Sequence, residues 1–98
     1  MRLRYTAEAR SHIEAIFNFI NDRNPNAAVQ VAARIRFAAE RLADFPRIGH
    51  AGRVPGTYEW VVSGLPYIIV YDVALGDRDE LTVMGVFHGA QDRERQRD

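Results

Sequence analysis

The side chain best placed for chemistry is His88, at the end of the apolar run LTVMGVFH. An imidazole titrates near neutrality, so at the mouth of a strand it can take or give a proton. The same position suits a histidine that bonds a loop carbonyl at a sheet corner, and the residues alone leave both roles open. His12, His50 and His88 are isolated from one another, with no i, i+4 pair to hold an ion on one helix face, so no metal is expected. Cysteine is absent, which excludes thiolate catalysis, disulfides and cysteine zinc sites. The chain has neither a Walker-type phosphate loop nor a GxGxxG turn, and Ser11 and Ser63 lack a GxSxG setting, so no cofactor is expected. Asp77, Asp79 and Glu80 cluster in a turn, where acidic residues are ordinarily solvated.

Charge narrows the function further. All 13 basic residues are arginine, and 13 acidic residues balance them. A protein that grips nucleic acid by neutralising phosphates carries a basic excess, so direct sequence-specific DNA binding is not expected. Arginine's planar fork suits phosphates and carboxylates, although a G- and C-rich coding sequence also yields an arginine-only set. The 98 residues, 47% hydrophobic, predict one domain with a modest core. No apolar run reaches 18 residues and no apolar segment follows Arg2 and Arg4, so a cytoplasmic protein is expected. The last ten residues, GAQDRERQRD from 89 to 98, are expected to form a solvated tail.

The elements that must carry these groups follow from pattern. Arg2 to Tyr5 alternates and predicts a short strand. Thr6 suits a helix N-cap, and Ala9, Ile13, Ile16, Phe17 and Ile20 follow helical spacing to about Asn21–Asn24. Asn24 and Pro25 suit the cap and first position of a second helix. Its stripe, Ala28, Val31, Ile35, Ala38, Leu42 and Phe45, runs to Pro46. RIGHAGRVPG reads as a loop. YEWVVS, YIIVYDV and LTVMGVFH read as three strands of an antiparallel meander. The class is α+β, in the order β-α-α-β-β-β, with a helical hairpin on a small antiparallel sheet. Strict alternation puts Leu81, Val83, Gly85 and Phe87 on one face of the last strand. His88 then falls with Thr82, Met84 and Val86.

Two groups of side chains are candidates for recognition. Tyr58 with Trp60, and Tyr67 with Tyr71, share faces of adjacent strands, either exposed for stacking or packed beneath the helices. On the second helix Phe37 points about 135° from the centre of the apolar stripe, with Val29 and Ala33 toward the same side. A phenylalanine there is exposed in a bare monomer, or else covers the first helix.

The succession NPNAA, LADFPRIGHAGR, YEWVV-GLPYIIVYDV and VFHGAQDR resembles the RelE/ParE superfamily of toxins from type II toxin–antitoxin modules, over about Tyr5 to Arg93. That resemblance implies a growth-inhibiting toxin held off by a cognate antitoxin whose own N-terminal part binds operator DNA. It implies one of two activities: ParE-like binding of DNA gyrase, or RelE-like cleavage of messenger RNA on the ribosome. In the RNA-cleaving reading His88 matches the last-strand acid or base, with Arg53 and Arg93 on phosphate. Yet Tyr58, Tyr67 and Gly85 stand where such nucleases commonly carry cations, which favours the binding reading. The resemblance further implies Arg47, Tyr58, Trp60 and Tyr67 as candidate target contacts, and Val29, Ala33 and Phe37 as an antitoxin footprint.

Overall fold

The computed structural model describes residues 1–89. Strand β1 (Arg2–Tyr5) leads into helices α1 (Ala7–Asn21) and α2 (Pro25–Asp44). Strands β2 (His50–Ala51), β3 (Tyr58–Val61), β4 (Tyr67–Ala74) and β5 (Glu80–His88) follow. Thr6 caps α1 by accepting the Ala9 N–H at 3.0 Å, and its hydroxyl donates to the Met84 carbonyl at 3.2 Å. One side chain thus sets the start of the helix and ties it to the last strand. Asn24 caps α2 through Ala27, with proline at the first turn as the sequence anticipates.

The sheet order is β1-β5-β4-β3-β2. Neighbours from β2 to β5 are antiparallel, but β1 runs parallel to β5, from Arg2 opposite Glu80 to Tyr5 opposite Val83. The sheet is therefore mixed rather than wholly antiparallel. The helical hairpin accounts for this: it carries the chain from the β1 edge across the sheet, the kind of crossover that parallel pairing needs. The expected 47–56 loop also holds a two-residue strand, His50 and Ala51, paired with Glu59 and Tyr58.

The core lies between the hairpin and one sheet face. Ile35, Ala38, Ala39 and Leu42 of α2 and Ala9 of α1 pack on Ile69, Tyr71, Leu81, Val83 and Val86. The alanines let the helices approach the strands closely, and larger side chains fill the centre. The Arg34 guanidinium donates to the Ser63 carbonyl and pins α2 to the β3–β4 turn. Phe45, expected to extend the stripe, lies beyond the helix at its C-cap and is 54% exposed, its ring under the Arg41 guanidinium. The helical period stops with the helix, so the pattern could not be projected one residue further.

Strand β5 departs from simple alternation. Val70 faces Gly85, but Tyr71 faces Val83, which leaves Met84 as the extra residue of a bulge. Beyond it the facing reverses. The helix-covered side of β5 therefore runs Leu81, Val83, Val86, His88, opposite Val73, Tyr71, Ile69 and Tyr67. The grouping of Gly85 and Phe87 with Leu81 and Val83 is overturned, and His88 belongs to the core side.

Candidate functional site

His88 closes β5 opposite Tyr67, the first residue of β4. The two rings meet edge to face, centroids 5.8 Å apart. His88 Nδ1 is buried and has no hydrogen-bond partner among the described residues. On the Tyr67 side it faces an aromatic ring.

The next rungs are equally apolar. Gly85 is buried, and a Cβ placed there would stand 2.7 Å from the Phe87 ring and 3.2 Å from His12 Cε1. The His12 and Phe87 rings are 4.9 Å apart. His12 Nδ1 also accepts the Val86 N–H at 3.2 Å, so a neutral ring carries its proton on Nε2. The volume beside Gly85 is thus filled by the ring of Phe87, two residues along the same strand, and that of His12 from α1.

The cations assigned to His88 are not all gathered around it. Arg53 lies two residues past Ala51, which is level with Tyr58 and Tyr71, whereas His88 lies level with Tyr67. Four residues along β4 and three strand spacings separate Ala51 from His88, about 13 Å along the strands and about 14 Å across. Arg53's own N–H bonds Glu59 Oε2 at 3.1 Å, and His50 Nε2 lies 3.9 Å from the other oxygen of the same carboxylate. Glu59 therefore anchors the loop that carries Arg53. Arg93 lies outside the described residues.

Of the four candidate target contacts, two converge. Arg47 and Tyr58 line a cleft of about 480 Å³ with Pro46, Val73 and Leu75. Tyr58 is 37% exposed and stacks on buried Tyr71 at 5.5 Å, and the Tyr71 hydroxyl donates to the Pro46 carbonyl at 2.8 Å. That bond holds the segment bearing Arg47 against the end of the sheet. Trp60 and Tyr67 are half-buried and pack against the core instead. On α2, Val29 and Phe37 are 60% and 61% exposed, with Ala33 exposed between them, so the three form one outward row as their spacing anticipates.

Two features escaped the sequence. The first is His12, whose acceptor role depends on how α1 crosses the bulged strand. The second is Tyr5, whose hydroxyl is buried between the helices without a hydrogen-bond partner among the described residues. Burial pushes the Tyr5 phenol up from 10.0, Glu40 adds to the shift and Arg36 opposes it. Neither residue sits in a motif. Only the capped start of α1, which fixes both positions relative to β5, hinted that they would face inward.

Among the described residues no group of histidine, aspartate and glutamate side chains is arranged to hold a metal ion, and no helix is long and apolar enough to cross a membrane.

Similarity to known proteins agrees with this geometry. Over 83 residues the chain is 40% identical to "Putative toxin Y4kP" of Sinorhizobium fredii, covering 85% of each chain. It is 35% identical over 72 residues to "Toxin RelE2" of Caulobacter vibrioides, covering 74% of this chain and 80% of that one. In fold it is similar to a chain of the chromosomal ParDE system from P. aeruginosa, with a TM-score of 0.79 at 19% identity, covering 90% of this chain and 95% of that chain. The YoeB/ParE toxin from Agrobacterium tumefaciens shares the fold with a TM-score of 0.61 at 16% identity, covering 90% and 98%. The model of the ParE toxin of the type II toxin–antitoxin system parDE matches residues 3–93, nearly the whole hairpin-on-sheet unit described above, and the chain belongs to that toxin family.

Proposed function

We propose that this toxin inhibits growth by binding DNA gyrase, without cutting RNA, in the cytoplasm. The observation that carries this reading is the filling of the space beside Gly85. RNA-cleaving members of the superfamily commonly hold an arginine at that position to meet the charge that develops on phosphate. Here Phe87 and His12 occupy the volume such a side chain would need. Tyr67, at a second position often cationic in the nucleases, packs its ring against His88. Losing one well-placed cation costs roughly 100-fold or more in rate. A gyrase-binding toxin has no such requirement, only a surface, and the Arg47–Tyr58 cleft is the surface we assign to it.

Membership of the family implies a cognate antitoxin partner. We assign the exposed row Val29, Ala33 and Phe37 to its footprint, because a helix with apolar residues one turn apart can lie along it. The antitoxin, rather than the toxin, is the DNA-binding member of the pair.

The deciding experiment is pulse-labelling within minutes of inducing the toxin without antitoxin. Thymidine incorporation is expected to fall while amino-acid incorporation continues. The second reading, a ribosome-dependent messenger RNA endonuclease, is favoured by the 35% identity to "Toxin RelE2" and by a histidine at the end of β5. It uses His88 as acid or base with Arg53 and Arg93 on phosphate, and it requires translation to stop first.

A further inference from the structure

We propose that Tyr71 is the positioning residue of the Arg47–Tyr58 cleft: buried beneath the surface, it sets the place of both target contacts through a single phenol. The inference rests on the assignment of that cleft to the cellular target and adds the part that fixes its shape.

The two contacts come from unlike parts of the fold. Tyr58 opens β3, whereas Arg47 lies beyond the end of α2. Arg47 sits in a tight turn closed by the Ile48 N–H, which donates to the Phe45 carbonyl at 3.2 Å. Pro46 and Arg47 are the central residues of that turn, and proline presets the dihedral of the first. The turn is stiff within itself, so what matters for the cleft is how it is tied to the sheet.

Tyr71 makes the tie. It is fully buried and directly opposite Tyr58 in the β3–β4 register. Its ring stacks on Tyr58, centroids 5.5 Å apart and planes at 26°. Its hydroxyl donates to the Pro46 carbonyl at 2.8 Å. That oxygen belongs to the planar peptide group whose nitrogen is Arg47's own, so holding it fixes the plane from which the arginine departs. Burial pushes the phenol above 10.0, which keeps it a protonated donor at neutral pH.

Two neighbouring features accommodate the tie. A Cβ on Gly49 would fall on the Tyr71 oxygen and stand 3.0 Å from the Glu59 carbonyl oxygen, which is backbone and cannot swing aside. The β5 bulge shifts the register between Val70 and Tyr71, and bulges re-aim side chains. Packing alone would be met by a phenylalanine at 71. The hydroxyl, and a glycine two residues past Arg47, both serve the one bond.

The test is a double-mutant cycle between Tyr71→Phe and Arg47→Ala in the full-length toxin. It is read as the dissociation constant for purified gyrase and as the toxin level that halves growth, in variants whose circular dichroism matches the wild type. Each single change is expected to raise both about 10-fold. The double variant is expected to be no worse than Arg47→Ala alone, because a misplaced turn costs nothing once its arginine is gone. Gly49→Ala, which displaces the hydroxyl and keeps the phenol, is expected to behave as Tyr71→Phe does and replaces it in the cycle if that chain fails to fold. Wild-type values in Tyr71→Phe would overturn the proposal. Costs that simply add would make Tyr71 a general structural residue and overturn it too. Unchanged values in Arg47→Ala remove the cleft from the target surface, and the proposal falls with it. A wild-type chain that halts growth without binding gyrase sinks the gyrase reading alone, since the cycle read in growth still decides Tyr71.

Discussion

His12 accepts the Val86 N–H through Nδ1 at 3.2 Å, and so α1 supplies the hydrogen bond that β1 is too short to make. β1 pairs with β5 only as far as Val83. The Thr6 N–H continues the ladder for one step by donating to the Val83 carbonyl at 3.0 Å. Past that point the edge of β5 would hold an unpaired, buried donor, because Val86 is 3% exposed. An imidazole one turn into the helix stands where a strand carbonyl would be.

Replacing that imidazole tests its structural share. His12→Ala leaves the Val86 N–H buried and removes a ring packed on Phe87. A loss of about 1–3 kcal/mol is expected, read as a shift in the urea midpoint. His12→Phe keeps the ring contact but not the acceptor. It should lose a comparable amount if the hydrogen bond matters more than the packing, and almost nothing if the packing dominates.

Gly85 offers a coupled test. Gly85→Ala forces its methyl group toward the Phe87 ring and should cost about 1–3 kcal/mol. The ring is the far end of a movable side chain, so Phe87→Leu in the same molecule should recover part of that cost. A double-mutant cycle with no coupling between the two positions would show that the ring is not what fills the space. Gly85→Arg is expected to destabilise the toxin without creating RNA cleavage, checked on messenger RNA with purified ribosomes.

His88→Ala separates the two activities. Retained growth inhibition is expected in a variant whose circular dichroism and melting match the wild type. Abolished toxicity in such a folded variant would give His88 the acid or base role and move the target to the ribosome.

Alkaline pH should weaken the fold. Burial raises the Tyr5 and Tyr71 phenols above their ordinary value of 10.0. The unfolded chain therefore loses these protons first. Stability contributed by the neutral phenols is complete below pH 10 and falls as pH rises through that value toward the folded ones. Urea midpoints measured on either side of pH 10 should show the decline, and Tyr5→Phe should make it shallower. An unchanged slope in that variant would mean that Tyr5 ionises as readily in the folded chain as in the unfolded one.

Much of the scaffold was legible because it is locally encoded. Thr6, Asn24 and Pro25 mark the helix starts by hydrogen-bonding geometry that needs no distant partner. Val29, Ala33 and Phe37 share an outward row by period alone. What was hidden is non-local. Nothing near Arg2–Tyr5 says that its partner is Glu80–Val83, or that the two run parallel. The bulge at Met84 depends on how β4 and β5 meet, and a single extra residue moved His88 to the core side. The site residues suffered most for that reason. Arg47 and Tyr58 meet because Tyr71 ties down Pro46, a contact 25 residues apart. Arg53 and His88 were grouped by chemical type, and the sheet register separates them.

The parallel β1–β5 pairing also has a consequence in time. Strand β1 pairs with a strand made much later in the chain, since Arg2 waits for Glu80. Contacts between such distant positions are slow to form. On the ribosome, the helical hairpin can assemble early, but Leu3 and Tyr5 have no β5 to lie beside until Leu81 and Val83 have emerged. The surface that includes Tyr5 is therefore finished only after β5 has joined the sheet, and a shorter nascent chain cannot present it. Whatever recognises that surface meets only a chain whose β1 edge is closed on β5.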